Sequence, residues 1–191
     1  MQKTYVLDAN VLLQAPYALE SFEDNHIVPP LAVLEELDTL KGADGEAGNN
    51  ARQALRFLED LRLRGDLVKS VTLPSGGTVR LEVNHVDAAL PQGIEPDSRA
   101  GRVLKVCRGL LDVGTPVTLV SRDIVARIRA QMMGVPAEDF TTDRLPDGAQ
   151  PYTGRAEVYI PDALLPAFKK KGVPAGELYA VDGAGSGSRL P

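Results

Sequence analysis

Short apolar runs of strand length take turns along this chain with longer stretches at helical spacing. The first run is Tyr5-Val6-Leu7, and Asp8 falls where it stops, followed by Asn10 and the apolar Val11, Leu12 and Leu13. A second run, His26 to Val28, ends at Pro29-Pro30, and Pro30 suits a first helical turn because its missing N–H costs nothing there. LAVLEELDTLKG then reads as a helix from Leu31 that stops at Gly42, with Val33, Leu34, Leu37 and Leu40 forming one stripe. Glu36 lies roughly 90° from the centre of that stripe and Glu35 nearly opposite it. Glu36 therefore looks along the edge of the core, and Glu35 faces water.

A Gly-rich acidic loop, Ala43 to Gly48, precedes a long helix expected from about Asn49 to Arg64 and capped by Asn49 or Asn50. Leu67 to Leu73 and Thr78 to Val86 read as an inserted hairpin, about residues 67–86, that decorates the fold and carries no chemistry. After a loop rich in Pro and Gly, Asp97-Ser98 opens a helix whose buried side holds Val103, Leu104, Cys107, Leu110 and Leu111. Asp97 either caps that helix or aims a carboxylate at a metal. Pro116 to Val120 is the clearest strand, and Ser121, Arg122 and Asp123 follow it directly. Ile124, Ile128 and Met132 mark a further helix ending at Gly134, and Pro136 to Thr142 holds a last short strand before Asp143.

This alternation predicts an α/β fold, three layers (α/β/α) around a central, mainly parallel sheet with the hairpin inserted. The domain is expected to span residues 1–148. Residues 149–175 read as a connector, with a β-like run at Val158 to Ile160 and a turn ending in Lys169, Lys170 and Lys171. Residues 176–191 are Gly/Ser-rich and read as a disordered tail.

Composition narrows the function. Of 191 residues, 43% are hydrophobic and 25% charged, the balance of an ordinary soluble domain. One cysteine, Cys107, excludes an internal disulfide framework, and two distant histidines without cysteine partners argue against zinc. No apolar run approaches membrane-spanning length, so a cytoplasmic protein without membrane contact is expected. A net charge of −5 speaks against a plain basic nucleic-acid footprint unless bound cations offset it.

The acids supply that condition. Ligands of open α/β sheets bind beyond the carboxyl ends of the strands, where Asp8 and Asp123 both fall. Asp8 also suits the cap of the segment that follows it. If Asp8, Glu36, Asp97 and Asp123 converge, they repel one another unless divalent cations are present, and Mg2+ or Mn2+ suits all-oxygen ligands. Arg52 and Arg56, four apart on one face, either grip backbone phosphates or pair with Glu59 and Asp60. Arg122 beside Asp123 is a third phosphate candidate.

KTYVLDANVLL, VPPLAVLEELDTLKG, NNARQALRFLEDLR and LVSRDIVARIRAQMMGVPAEDF together resemble a PIN domain. They are similar in particular to the amino-terminal PIN domain of PIN–PhoH proteins, in which an RNase-like domain precedes a PhoH-type ATPase. The resemblance runs from about Lys3 to Lys171 and implies a metal-dependent nuclease acting on single-stranded RNA. It makes Asp8 the first acid, Glu36 the glutamate before Leu-Asp and Asp123 the acid after the fourth strand. Asn10 and Ser121 match supporting polar residues, and Asn50 and Arg52 match an Asn-Ala-Arg motif. The third acid departs from the family pattern: Ala100-Gly101-Arg102-Val103-Leu104 stands where Asp precedes Arg-Ile-Leu, and Asp97 is the nearest acid. No Gly-x-x-x-x-Gly-Lys-Ser/Thr loop occurs, so a PhoH-type ATPase is a partner the resemblance implies and this sequence lacks. A homo-oligomer is compatible with the sequence. Two rival readings stand beside the nuclease: a catalytically silent PIN module that binds RNA or a protein, and a receiver-like domain phosphorylated on aspartate.

Overall fold

The protein is described from a computed structural model covering residues 2–141 and three short strands further on. In chain order the elements of the first part are β1 (Thr4–Leu7), α1 (Ala9–Gln14), β2 (His26–Val28), α2 (Leu31–Leu40), α3 (Glu46–Arg64), β3 (Val71–Thr72), β4 (Thr78–Val79), α4 (Arg99–Asp112), β5 (Val117–Val120), α5 (Ile124–Met132) and β6 (Ala137–Glu138). They belong to one compact unit, Met1–Ala149, and Gln150–Pro191 forms a second. Within the second unit β7 (Val158–Tyr159), β8 (Tyr179–Val181) and β9 (Gly187–Arg189) pair antiparallel in that order. β8 and β9 fall in the stretch expected to be a disordered tail. Asp143, the three lysines at 169–171 and most of the connector lie outside the described residues.

The sheet of the first unit runs β3-β4-β2-β1-β5-β6, parallel except between β3 and β4. Central parallel strands are covered on both faces and so read as unbroken apolar runs. Val6, Leu7, Leu119 and Val120 accordingly lie in the core, under helices that complete the three-layer α/β/α fold. The hairpin is present, but it is part of the sheet: β4 pairs with β2 through His26 and Thr78, and Ile27 and Val79.

Helix boundaries depart from the sequence reading in two places. α3 starts at Glu46, because Gly45 adopts φ +84, a left-handed conformation open to glycine, and turns the chain into the helix three residues early. Asn49 and Asn50 therefore lie inside α3 instead of capping it. At α4 the cap is Ser98, whose Oγ accepts the Gly101 N–H at 3.0 Å. A side chain at Gly101 would stand 2.1 Å from the Glu95 carbonyl oxygen, so only glycine lets the preceding loop close on this helix. In α5 the apolar spacing faces outward: Ile124, Ile128 and Met132 are exposed, and the buried side is carried by Ala126 and Ala130. Among the described residues no helix is long and apolar enough to cross a membrane.

Glu82, just past β4, is 2% exposed and anchors the start of α2. Its backbone carbonyl accepts the Leu31 N–H at 2.9 Å and its own N–H donates to the Pro29 carbonyl at 3.1 Å. The carboxylate lies 2.8 Å from Arg80 Nη1 and accepts both the backbone and side-chain N–H of Asn84 at 2.9 Å. Burial pushes its proton affinity up, but the Asn84 bonds and the nearby Arg80 charge outweigh it and hold the carboxyl below its ordinary range. A depressed folded pKa contributes stability above the ordinary carboxylate range and loses it as pH falls through the folded value. Glu82→Gln is therefore expected to cost about 1–3 kcal/mol at neutral pH. Its melting curve should converge on the wild type's in acid, and a gap that persists there would contradict the assignment.

Candidate active site

The side chains of Asp8, Asn10 and Ser121 meet where β1 and β5 end, and Asp123 joins them through its backbone N–H. Asp8 follows β1 in extended conformation (φ −85, ψ 152) and its N–H donates to the Val120 carbonyl at 3.0 Å, tying the two strand ends together. Oδ1 of Asp8 accepts the Ala9 N–H at 2.7 Å, so the residue does cap α1. Oδ2 is left for the site: it accepts Ser121 Oγ–H at 2.6 Å and Asn10 Nδ2–H at 2.9 Å. Ser121 is fully buried, and its oxygen in turn accepts from Asn10 Nδ2 and from the Asp123 N–H, each at 3.1 Å. Asn10 closes the ring by accepting the Arg122 N–H at 3.0 Å. Asp123 caps α5 through Oδ1, which accepts the Val125 N–H at 2.8 Å. Asp8, Asn10, Ser121 and Asp123 are thus brought together by adjacent parallel strands.

Burial is the largest influence on the Asp8 carboxyl and pushes its pKa up, and the charge of Asp123 adds to the rise. Hydrogen bonds from Ser121, Ala9 and Asn10 oppose it without cancelling it. Cys107 lies beneath, fully buried, its thiol pushed up by that burial and then by the Asp8 charge. It is a core residue, as its apolar neighbours predicted.

The other two acids are placed differently. Glu36 is largely covered, and its Oε1 lies 3.0 Å from Arg99 Nη1 on α4. Glu35, expected to face water, pairs with Arg102 one turn further along the same helix. Asp97 is not gathered with the other acids. Because Ser98 takes the cap, Asp97 stays outside the helix, 87% exposed, with Lys105 Nζ at 3.4 Å. It lines a separate cavity of about 230 Å3 with Glu82, His85 and Lys105. Among the described residues no group of three or more His, Cys, Asp and Glu stands ready to hold a metal ion.

Of the residues expected to bind RNA, Asn50 and Arg52 are engaged inside the protein. Asn50 Nδ2 donates to the carbonyls of Leu13 at 2.8 Å and Gln14 at 3.4 Å, clamping α3 to the end of α1. Arg52 donates to the Lys41 carbonyl at 2.5 Å and to Asn49, fastening α3 to the end of α2. Arg56 and Arg122 are exposed. Glu59, a suggested partner for Arg52 and Arg56, pairs with Arg62 instead. Sequence reasoning did not pair Arg99 and Arg102 with Glu36 and Glu35, because the pairs form only once α4 is packed against α2. It also missed Arg127, which donates to the Ser121 carbonyl at 2.6 Å and pairs with Asp139 at 3.3 Å, holding the site loop.

A parallel α/β sheet with an Asp past each of two adjacent strands, joined by Asn and Ser, is a PIN-type arrangement, and the PIN-domain family profile matches residues 5–141. The chain belongs to the PIN domain family and is a PIN nuclease-type domain, which removes the receiver-like reading. It is 41% identical to Protein PhoH2 of Bacillus subtilis (strain 168) over 178 residues, 90% of this chain and 40% of that protein. It is 43% identical to Protein PhoH2 of Mycolicibacterium smegmatis over 141 residues, 72% of this chain and 32% of that one. For Protein PhoH2 of Thermobispora bispora the identity is 37% over 161 residues, covering 84% and 36%. The chain therefore spans about two fifths or less of the length of these relatives.

PIN domains generally use divalent metals, and the donors at this site suit one such ion. Asp8 and Asp123 offer only hard oxygen ligands, and a cation would relieve the burial and like charge that raise the Asp8 pKa. Two carboxylates with water and substrate oxygens satisfy a magnesium-like coordination sphere.

Proposed function

We propose that this chain is a metal-dependent endoribonuclease domain that hydrolyses phosphodiester bonds of single-stranded RNA. The observation that carries the reading is the approach of Asp8 and Asp123, whose charges act on one another and whose carboxylate and backbone N–H respectively share the Ser121 hydroxyl, in a member of a nuclease family. Asp8 and Asp123 would hold one Mg2+ or Mn2+, with Glu36, now paired with Arg99, as the further acid the family resemblance names. Such an ion supplies Lewis acidity, which lowers the pKa of a bound water and offsets phosphate charge. Asn10 and Ser121 fix the direction of Asp8 Oδ2, so the carboxylate meets its ligand without reorganising. Exposed Arg122, whose backbone is pinned by Asn10, suits a phosphate of the RNA backbone. Asp97, outside the cluster, is not part of the proposed set.

The test is incubation of end-labelled single-stranded RNA with the protein in manganese or magnesium, with an equal sample in chelator. Cleavage is expected with metal and none in chelator, with duplex RNA of the same sequence spared. Cleavage indifferent to chelator, or absent with both metals, overturns the proposal. The silent PIN module is favoured by one observation, the engagement of Glu36 by Arg99, and predicts RNA binding without metal-dependent cleavage.

A further inference from the structure

We propose that the cavity between the start of α2, the stretch after β4 and the first half of α4 is a subsite for one nucleotide of the bound RNA, with His85 stacking on the base and Lys105 taking the phosphate. The inference deepens the nuclease reading and rests on its RNA substrate.

The register of the sheet places this cavity beside the acids. Val6 pairs with Val28 across β1 and β2, so Asp8, two residues on, stands level with Pro30. Pro30 in turn bridges to Glu82. Strands lie about 4.8 Å apart, so Pro30 is one spacing and Glu82 about 10 Å from Asp8 along the carboxyl edge of the sheet. α4 joins the two places: Lys105 and Val106 line the cavity, and the next residue, Cys107, feels the charge of Asp8. A splayed single strand whose phosphodiester lies at Asp8 therefore brings a neighbouring nucleotide to this cavity.

The chemistry of the walls suits that guest. Pro30, Leu31, Val83, Val86 and Val106 give a cavity of about 230 Å3 apolar surfaces for the faces of a base. His85 holds a left-handed φ of 66, and its ring is pressed so close on α4 that a side-chain carbon at Gly109 would stand 2.3 Å from Nδ1. Backbone strain retained at one ring on a cavity wall marks a fixed surface, and imidazoles are among the rings on which RNA bases stack. No hydrogen bond commits that ring elsewhere among the described residues.

Charge on the cavity is unevenly spent. The Glu82 carboxylate is already answered by Arg80 and Asn84. Lys105 is not: its side chain is 15% exposed, and its three donors share one partner among the described residues, Asp97 Oδ1 at 3.4 Å. Asp97 stands in solvent, so the pair is screened, and a phosphate oxygen displaces the aspartate from the ammonium. Asp97 then acts as a place-holder for the RNA backbone.

The experiment measures binding of labelled single-stranded RNA by fluorescence anisotropy in chelator, where metal and cleavage play no part. Lys105→Gln is expected to weaken binding roughly three- to tenfold and Asp97→Asn to tighten it roughly two- to fivefold, because one removes the ammonium and the other frees it. His85→Asn, whose new side chain tolerates the left-handed backbone, is expected to weaken binding roughly tenfold. An ion pair that only fastens α4 to the preceding loop would move Lys105→Gln and Asp97→Asn the same way. That result overturns the proposal, as does unchanged binding in any of the three. Unsubstituted protein supplies a second readout: RNA carrying thiouridine is expected to cross-link under near-ultraviolet light to the peptide holding residues 82–86. Wild type that binds no RNA removes this inference and the nuclease reading together. Metal-dependent cleavage with cross-links only to other peptides removes this inference alone, and cross-links at 82–86 without cleavage keep the subsite and remove the nuclease.

Discussion

Asp8→Asn is expected to lower manganese-dependent cleavage of single-stranded RNA about a hundredfold or more, the largest loss of activity from any single substitution at this site. The change is nearly isosteric, so its effect is on charge and hydrogen bonding. Three donors converge on the Asp8 carboxylate, from Ala9, Asn10 and Ser121. A carboxamide offers them one oxygen and turns an NH2 group toward donors, and its neutral oxygen is a poorer ligand for a hard cation. Calorimetry should show manganese binding lost with RNA binding in chelator retained. A proton competes with the metal for the same carboxylate. With the Asp8 pKa raised, metal uptake by the wild type should begin to fail on acidification above the ordinary carboxylate range. Cleavage by Asp8→Asn equal to the wild type's would remove Asp8, and with it the cluster, from the reaction.

The largest loss of stability is expected from Leu104→Ala. Leu104 is fully buried in α4, the helix that packs against β1, β5 and α2 and carries Arg99 at its start. Truncation removes its buried methyl groups and leaves a cavity that the rigid sheet beneath closes only in part, which costs about 2–5 kcal/mol. For a chain of this size that lowers the melting temperature by on the order of 10 °C. Urea titration is the cleaner measure, because a shifted midpoint at constant slope reports stability alone. A loss under about 1 kcal/mol would mean that α4 is not seated on the sheet as described.

The strand ends were legible in the sequence because doubly covered strands leave an uninterrupted apolar signature, and an acid that terminates one has few places to go. Asp8 and Asp123 could therefore be placed at strand ends from the chain alone, whereas the family resemblance named Asn10 and Ser121 as their supports. The partners of Glu36 and Asn50 could not be named in either way. Both are fixed by contacts across elements: Glu36 by the placement of α4 against α2, Asn50 by the end of α1. A glutamate on the edge of a stripe looks the same whether it meets a metal or an arginine. Asp97 shows how one position decides a role, since Ser98 captured the cap and left its neighbour in solvent. The stripe of Ile124, Ile128 and Met132 was read correctly as helical, but periodicity defines a face without saying which way it turns. Alanines fit closely against the sheet, and the larger residues were left outside.

The bond from Ser121 to Asp8 joins positions 113 apart in the chain. Loops of that span close late, and β1 is held in the sheet by a strand made more than half a chain after it. During synthesis Asp8 is made well before Ser121 and the β5 edge that complete its surroundings. A site assembled in this order keeps its first acid without its main hydrogen-bond partner until β5 has been made.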